Sequence, residues 1–181
     1  MTTTSGFKTP LIVEEVGPHA WRLVEPLIWA GTKGDTIIVQ AGAVTDFAST
    51  PDLLQSIFPN TGTWTKAAVV HDKLCDELNA RYNARQEAWE SNLDATWEDT
   101  DDLVPKTRFS SVDTDAVFEL IMEQAGTGWF KRKIGWLGVR WGALKNPARR
   151  DGWLSTAVPV IGYSLLLALP FLVLATLAVA L

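Results

Sequence analysis

The chain has few of the residues that build most catalytic and metal centres. It contains one cysteine, Cys75, and two histidines, His19 and His71. A single cysteine excludes an internal disulfide framework and a CxxC metal motif, and two histidines argue against a multi-histidine zinc or two-metal phosphohydrolase site. The sequence also lacks a Gly-rich phosphate loop ending in Lys-Ser/Thr and a GxSxG nucleophile elbow. Carboxylates and histidine are therefore the remaining candidates for a catalytic or metal site.

Charged side chains are absent from the C-terminal segment, residues 152–181. A helix needs about 20 apolar residues to cross a bilayer, so this segment is predicted to be a C-terminal transmembrane anchor. The alternative is a long buried helix in a soluble fold. Pro159 and Pro170 are expected to bend the helix in either case.

Charge is distributed unevenly along a chain that has 16 basic and 21 acidic residues and a formal net charge of -5. The acids concentrate in 72–102 and the bases in 131–150. Basic flanks stay on the cytoplasmic side, so we expect a cytosolic N-terminal domain, an outward C-terminus and a cytoplasmic (inner) membrane location. The N-terminal residues 1–6 have neither a basic nor an apolar run, so no signal peptide is expected there. The bases of 131–150 are expected to bind anionic lipid headgroups, and the acidic whole argues against nucleic acid.

The part before the anchor has the pattern of an α+β fold. Strand-like runs at 11–13, 20–24 continuing into 26–29, and 36–39 predict a small antiparallel β-meander. Helices are predicted at 51–58, capped by Ser49 or Thr50, and then at 63–82, 112–124 and 129–144. The predicted divisions are a soluble α+β domain over 1–128 with an acidic insertion at about 83–102, a basic amphipathic juxtamembrane helix over 129–151, and the anchor over 152–181.

The basic helix at 129–144 carries two distinct faces. Its apolar face is predicted to contain Phe130, Ile134, Leu137, Trp141 and Leu144. Its glycines, Gly135, Gly138 and Gly142, lie on another face. Core packing is the favoured explanation for these glycines, and close contact with lipid headgroups is the alternative.

The candidate site centres on His71 and the aspartates near it. His71 falls on the apolar face of the 63–82 helix, so its ring nitrogens need polar partners inside the protein. Asp72 lies at the edge of that face, Asp115 at the border of the buried stripe of the 112–124 helix, and Asp46 between a strand end and a helix start. Arg108, just before the 112–124 helix, is expected to pair with one of these acids.

Three kinds of site fit one histidine among aspartates. His71 could be a general base oriented by a carboxylate. The carboxylates of Asp46 and Asp72 could hold a divalent metal. The group could also be a structural hydrogen-bond network, which composition favours. Cys75 lies one turn after His71, where a buried core cysteine is a better interpretation than a nucleophile.

Four motifs resemble a phage and prophage family known as a domain of unknown function, family 1353. They are A-G-A-V-T-D-F-A-S-T-P at 41–51, A-A-V-V-H-D-K-L at 67–74, T-D-A-V-F at 114–118 and V-R-W-G at 139–142. The chain departs from the family pattern at Cys75, where tyrosine is usual, and at Ala43, where phenylalanine is usual. The resemblance covers about 20–142 and implies a viral or prophage origin and a compact domain, without an established activity. Its motifs contain the supporting site candidates Thr45, Ser49 and Arg140.

Two functions are consistent with these features. The first is a tail-anchored accessory protein that binds a partner protein at the host cytoplasmic membrane, in morphogenesis, lysis control or exclusion of other phages. The alternative is a membrane-tethered hydrolase of lipid or cell-envelope precursors, with His71 as general base oriented by Asp46 or Asp115. Geometry separates them, since a catalytic His71 must reach a cleft.

Overall fold

The computed structural model describes residues 5–31, 34–47, 61–92, 96–150 and 152–179, with side chains described as far as Leu169 in the last helix. The predicted helix at 51–58 and its caps, Ser49 and Thr50, lie outside these ranges. Within them, short antiparallel strands precede the helices, so the predicted α+β class is confirmed.

The strands form two small sheets and not the single predicted meander. The first sheet has the order β1-β4-β5 and the second β2-β3-β6, and every pair is antiparallel. Pro26 stands between β3 and β4, where it has no N–H to offer a ladder, and the chain changes sheet there. The strands are Gly6–Phe7, Val13–Gly17, Ala20–Leu23, Leu27–Ala30, Thr36–Val39 and Val44–Thr45, named β1 to β6.

Within the described ranges, five α-helices follow the sheets. They are α1 Thr65–Ser91, α2 Ser111–Gln124, α3 Trp129–Ala143, α4 Pro147–Arg150 and α5 Trp153–Val179, with a 3-10 turn at Asp99–Asp102. Helix α1 ends nine residues later than predicted, so the first half of the acidic insertion is helical. It contains no glycine or proline, and pairs such as Gln86 with Glu90 at 3.0 Å support its exposed C-terminal half.

The core lies between the sheets and the first two helices. Alternating residues of β4 and β5 face inward, as expected for strands with one buried side. They pack against α1 and α2 in one cluster whose members include Leu27, Trp29, Val39, Val70, Leu74, Phe118, Ile121 and Met122. This packing fixes α1 between the sheets and α2.

The buried face of α3 is rotated from the predicted apolar face but shares Leu137 with it. Phe130 and Trp141 are about half exposed, whereas Leu137, Arg140 and Ala143 are buried. Ion pairs between α3 and α2 contribute to this rotation because they hold the bases of α3 over the acids of α2. They are Arg132 with Glu123 and Lys133 with Glu119, each at 2.6 Å.

Helix α5 begins where the anchor was predicted and runs antiparallel along α3. Trp141 of α3 packs on Trp153 with ring centroids 5.6 Å apart, and Trp136 meets Tyr163 edge-on at 6.2 Å. The Trp141 indole also donates to Ser164 Oγ at 3.0 Å. Among the side chains described, no helix is both long enough and apolar enough to cross a membrane. The predicted transmembrane helix is therefore without support from this part of the chain.

Candidate functional site

His71 and Asp72 are neighbours in sequence but belong to different polar sites. His71 is 7% exposed and points from α1 toward α2, as its place on the apolar face predicts. Asp72 is half-buried and points toward β6. Side chains one residue apart on a helix diverge by about 100°, which separates the two groups.

The first site is a buried cluster around Asp115, which we name the Asp115 cluster: His71, Asp115, Arg140 and Arg149. Asp115 and Arg140 are both 0% exposed. Asp115 Oδ1 accepts a hydrogen bond from His71 Nε2 at 2.7 Å and another from Arg149 Nη2. Asp115 Oδ2 accepts from Arg140 Nη1 at 2.7 Å. One buried carboxylate therefore has three donors, two of them guanidinium groups.

Arg140 extends the cluster to the start of α5. Its Nη2 donates to the Gly152 carbonyl at 2.9 Å and its Nε to Thr156 Oγ1 at 3.1 Å. Because His71, Asp115, Arg140 and Arg149 come from α1, α2, α3 and α4, the contacts of one carboxylate and one arginine connect all five helices. The Asp115 cluster thus holds the junction between the core and α5.

Electrostatics keep the Asp115 cluster ionised. Burial alone raises the pKa of Asp115, but hydrogen bonding to His71 and the charges of Arg149 and His71 outweigh burial and lower it. Burial alone lowers the pKa of His71, but the hydrogen bonds to Asp115 and Cys75 outweigh it and raise this pKa from 6.5 to about 9. A His71 that holds its proton at neutral pH is a hydrogen-bond donor and not a general base.

The second site is an open cavity of about 300 Å³ on the other side of α1, which we name the acidic cavity. It is lined by Ala20, Val44, Thr45, Asp46, Asp72, Cys75 and Asp76. Thr45 Oγ1 donates to Asp72 Oδ2 at 2.7 Å and accepts from the Phe47 N–H at 3.2 Å. Burial and the nearby carboxylates of Asp46 and Asp76 raise the pKa of Asp72, although the Thr45 bond opposes the shift.

A strained residue shapes the rim of the acidic cavity. Phe47 has a φ of 60°, a left-handed conformation that is unfavourable for a bulky side chain. Its ring is buried and stacks on Trp21 with centroids 4.5 Å apart, which compensates for the strain. Burial of Phe47 leaves the preceding Asp46 exposed at the cavity.

Cys75 touches both sites. Its Sγ lies 3.7 Å from His71 Nδ1, and the same residue lines the acidic cavity. The thiol is half-buried and free. The interpretation of Cys75 as a fully buried core residue is therefore wrong, because one side of it faces the cavity.

The metal hypothesis placed Asp46 and Asp72 as ligands. Both line the acidic cavity. Within the described ranges, however, no group of three or more His, Cys, Asp or Glu side chains is arranged to hold a metal ion.

The structure divides the remaining candidates. Arg140 belongs to the Asp115 cluster, where it bonds Asp115. Thr45 belongs to the acidic cavity, where it bonds Asp72. Arg108 pairs with Asp35 at the protein surface, so the expectation that it would pair with a site aspartate is wrong. Ser49 lies outside the described residues.

Arg149 belongs to the site although no sequence pattern predicted it there. This residue is 6% exposed and donates to the most buried carboxylate of the described chain. A buried aspartate requires compensating cations, and this general rule predicts a basic partner for Asp115 without saying which one. Nothing in the sequence distinguishes Arg149 from the other bases of 131–150.

Comparison with protein families matches residues 21–139 to the family described as "Protein of unknown function (DUF1353)". The match includes His71, Asp72 and Asp115, and it ends one residue before Arg140. No curated protein and no solved structure matches the chain. Since the family match covers well over half of the 181 residues, the chain belongs to the DUF1353 family.

Proposed function

We propose that this protein is a phage- or prophage-type accessory protein that acts by binding at the host cytoplasmic membrane. In this proposal α5 contacts the bilayer, the N-terminal domain faces the cytosol, and the Asp115 cluster holds α5 to the domain. A protein partner bound by the domain would thereby be brought to the membrane, in morphogenesis, lysis control or exclusion.

The observation that carries the proposal is an apolar stripe along the outer face of α5, which we name the α5 stripe: Leu154, Val158, Ile161, Leu165 and Leu169. These residues follow the spacing of one helix face. Leu154 is 82% exposed and Val158 83% exposed, values unusual for large apolar side chains in succession. A continuous apolar face of this kind is stabilised when it leaves water for lipid.

The exposed bases next to α5 support the same proposal, but they are fewer than the sequence indicated. Seven basic residues occur between 129 and 150. Four of them are paired inside the protein, since Arg132 and Lys133 bind acids of α2, and Arg140 and Arg149 bind Asp115. The three others, Lys131, Lys145 and Arg150, have exposed side chains. Each contributes about 1 kcal/mol of attraction to an anionic surface.

The geometry favours binding over the hydrolase alternative. A general base must reach its substrate, but His71 is nearly buried and does not line the acidic cavity. Its Nε2 is already engaged by Asp115, and its raised pKa keeps the ring protonated. The contacts of His71 are instead those of a residue that positions helices.

Vesicle flotation of the full chain tests membrane binding. The variant Val158→Asp with Leu165→Asp places two charges on the α5 stripe, and the matched control, Val16→Asp with Val24→Asp, places two charges on exposed apolar positions of the sheet region. We expect the stripe variant to reduce the partition coefficient by more than about tenfold and the control to leave it unchanged. Equal binding of wild type and stripe variant, with both folded by circular dichroism, would contradict the proposal.

The depth of insertion is a finer part of the proposal. If residues 152–181 span the bilayer, as predicted, the C-terminus lies on the outer side of the membrane. If α5 lies along the surface, the C-terminus stays on the cytosolic side. The experiment adds an N-glycosylation acceptor after Leu181 and translates the chain in the presence of microsomes. The acceptor is glycosylated if the helix spans the bilayer and stays unmodified if α5 lies along the surface. Packing of α3 on the first turns of α5 places those turns with the domain in either arrangement.

A further inference from the structure

A pocket of about 400 Å³ lies on the far half of α1, away from both polar sites. We name it the aromatic pocket: Tyr82, Gln86, Trp89, Trp97, Pro147 and Arg150. Tyr82, Gln86 and Trp89 are spaced by four and three residues, so they share one face of α1. Trp97 approaches from the segment after α1, and α4 closes the opposite side. The volume lies in the range of small-ligand sites.

The wall of the aromatic pocket is held in place before any ligand binds. The Arg85 guanidinium lies 4.3 Å from the centre of the Trp97 ring, and Arg85 Nη2 donates to the Trp97 carbonyl at 2.8 Å. Tyr82 and Trp89 contact the same ring, with centroids 5.4 and 6.3 Å away. A preordered wall reduces the entropy lost on binding. Trp89 nevertheless stays 47% exposed, so its ring remains available to a ligand.

The charge at the aromatic pocket is positive. Arg81 and Arg85 behind the wall are both paired with Asp101, at 2.8 and 3.3 Å. Among the described residues that line the pocket, Arg150 is the one that carries a charge, and none is a carboxylate. Within the described part of the chain, Arg150 forms no ion pair. The pocket therefore offers the Arg150 guanidinium, three aromatic rings and the Gln86 amide, whose Nε2 also donates to Glu90.

This combination suits the headgroup of an anionic phospholipid. A guanidinium binds phosphate oxygens in a fork geometry, and a glutamine amide hydrogen-bonds the glycerol oxygens beside them. Tryptophan and tyrosine are the side chains that settle at the headgroup level of a bilayer. Arg150 is three residues before the first residue of α5, so at most about 11 Å of chain separates the pocket from the helix proposed to meet the membrane.

We infer that the aromatic pocket binds the phosphodiester headgroup of an anionic phospholipid, with Arg150 on the phosphate and Trp89 and Trp97 beside the glycerol. The inference rests on the proposed function, because the lipid reaches the pocket only if α5 brings the domain to a bilayer. It adds a defined site to the general attraction of exposed bases.

The test compares two single charge removals in the full chain. Arg150→Gln removes the pocket cation, whereas Lys145→Gln removes an equally exposed base that does not line the pocket. Both variants are measured by flotation with phosphatidylcholine vesicles and with vesicles that contain phosphatidylglycerol. Loss of one charge near an anionic surface reduces binding about fivefold. We expect Lys145→Gln to show only that reduction on phosphatidylglycerol vesicles and Arg150→Gln to reduce binding about tenfold further.

The outcomes separate this inference from the proposed function. If both variants lose the same amount on phosphatidylglycerol vesicles, the headgroup site is wrong while membrane attachment stands. If the wild type binds neither kind of vesicle, both fail. Titration of the soluble diester glycerophosphoglycerol, followed by tryptophan fluorescence, identifies the source of the phosphate. Binding of that diester as strong as vesicle binding, and dependent on Arg150, would assign the pocket to a free phosphodiester and overturn the lipid assignment.

Discussion

The Asp115 cluster and the acidic cavity are two polar sites on opposite sides of α1. They differ in the hydrogen-bond donors and charges that surround their carboxylates. Asp115 is fully buried and has three donors, two of them permanently charged. Asp72 is half-buried, has the Thr45 hydroxyl as a donor and faces two other acids. Accordingly, the pKa of Asp115 is lowered and that of Asp72 is raised. The difference shows that a His-Asp dipeptide can supply one member to each of two unrelated sites.

Removal of the central carboxylate is the strongest way to sharpen this comparison. Asp115→Ala leaves the buried guanidinium groups of Arg140 and Arg149 without their anion, so we expect a loss of about 3–5 kcal/mol in the free energy of unfolding. Urea unfolding at pH 7 measures it. The control is Asp102→Ala, since that side chain is 88% exposed and pairs only with Lys106, and its loss should stay below about 0.5 kcal/mol. A loss near 1 kcal/mol for Asp115→Ala would show that the cluster is unimportant.

The titration of His71 gives the next largest effect. The folded chain binds this proton more tightly than the unfolded chain, with a pKa of about 9 against 6.5. The stabilisation is therefore complete below pH 6.5 and is lost as the pH rises through 9, and the difference of 2.5 in pKa corresponds to about 3 kcal/mol. His71→Gln should unfold at lower urea than wild type at pH 6 and approach it at pH 10. A constant difference across this range would mean that Arg140 and Arg149 keep His71 neutral.

Substitution of Asp72 should have the opposite effect on stability from substitution of His71. Its pKa is raised in the folded chain, so its contribution to stability falls as the pH rises through the ordinary value of 3.8. Asp72→Asn removes the repulsion from Asp46 and Asp76 and keeps an oxygen that accepts from Thr45. We expect the variant to be slightly more stable than wild type at pH 7, by less than about 1 kcal/mol, in thermal unfolding. A clear destabilisation would assign Asp72 a structural role like that of Asp115.

The openness of the acidic cavity can be tested through the Cys75 thiol. Asp46, Asp72 and Asp76 surround the approach to Cys75, so a cationic methanethiosulfonate should react about tenfold faster than an anionic one of similar size. In 1 M salt the Debye length falls to about 3 Å, and the two rates should converge. Mass spectrometry of the single cysteine measures both rates. No reaction in the folded protein would show that the cavity is closed and that Cys75 belongs with the buried cluster.

Prediction from sequence succeeded where local patterns decide the structure. The strand-like run at 36–39 is strand β5, and α2 begins one residue before the predicted start, after a capping box formed by Ser110 and Asp113. Prediction failed where partners distant in sequence decide it. The division into two sheets depends on how the strands on either side of Pro26 pair with other strands. The rotation of α3 depends on its ion pairs with the acids of α2. The surface pairing of Arg108 with Asp35 has the same cause.

The sequence by itself determined the family, the α+β class, the inward direction of His71 and the charge-free composition of the last helix, because each follows from residue order or from one helical or strand period. Only the tertiary structure decided that Asp115 is the partner of His71 and that Arg140 and Arg149 neutralise it. A buried carboxylate requires cations but not particular ones. Packing of α3 and α4 against α1 and α2 selects two of the seven bases between 129 and 150 for this role.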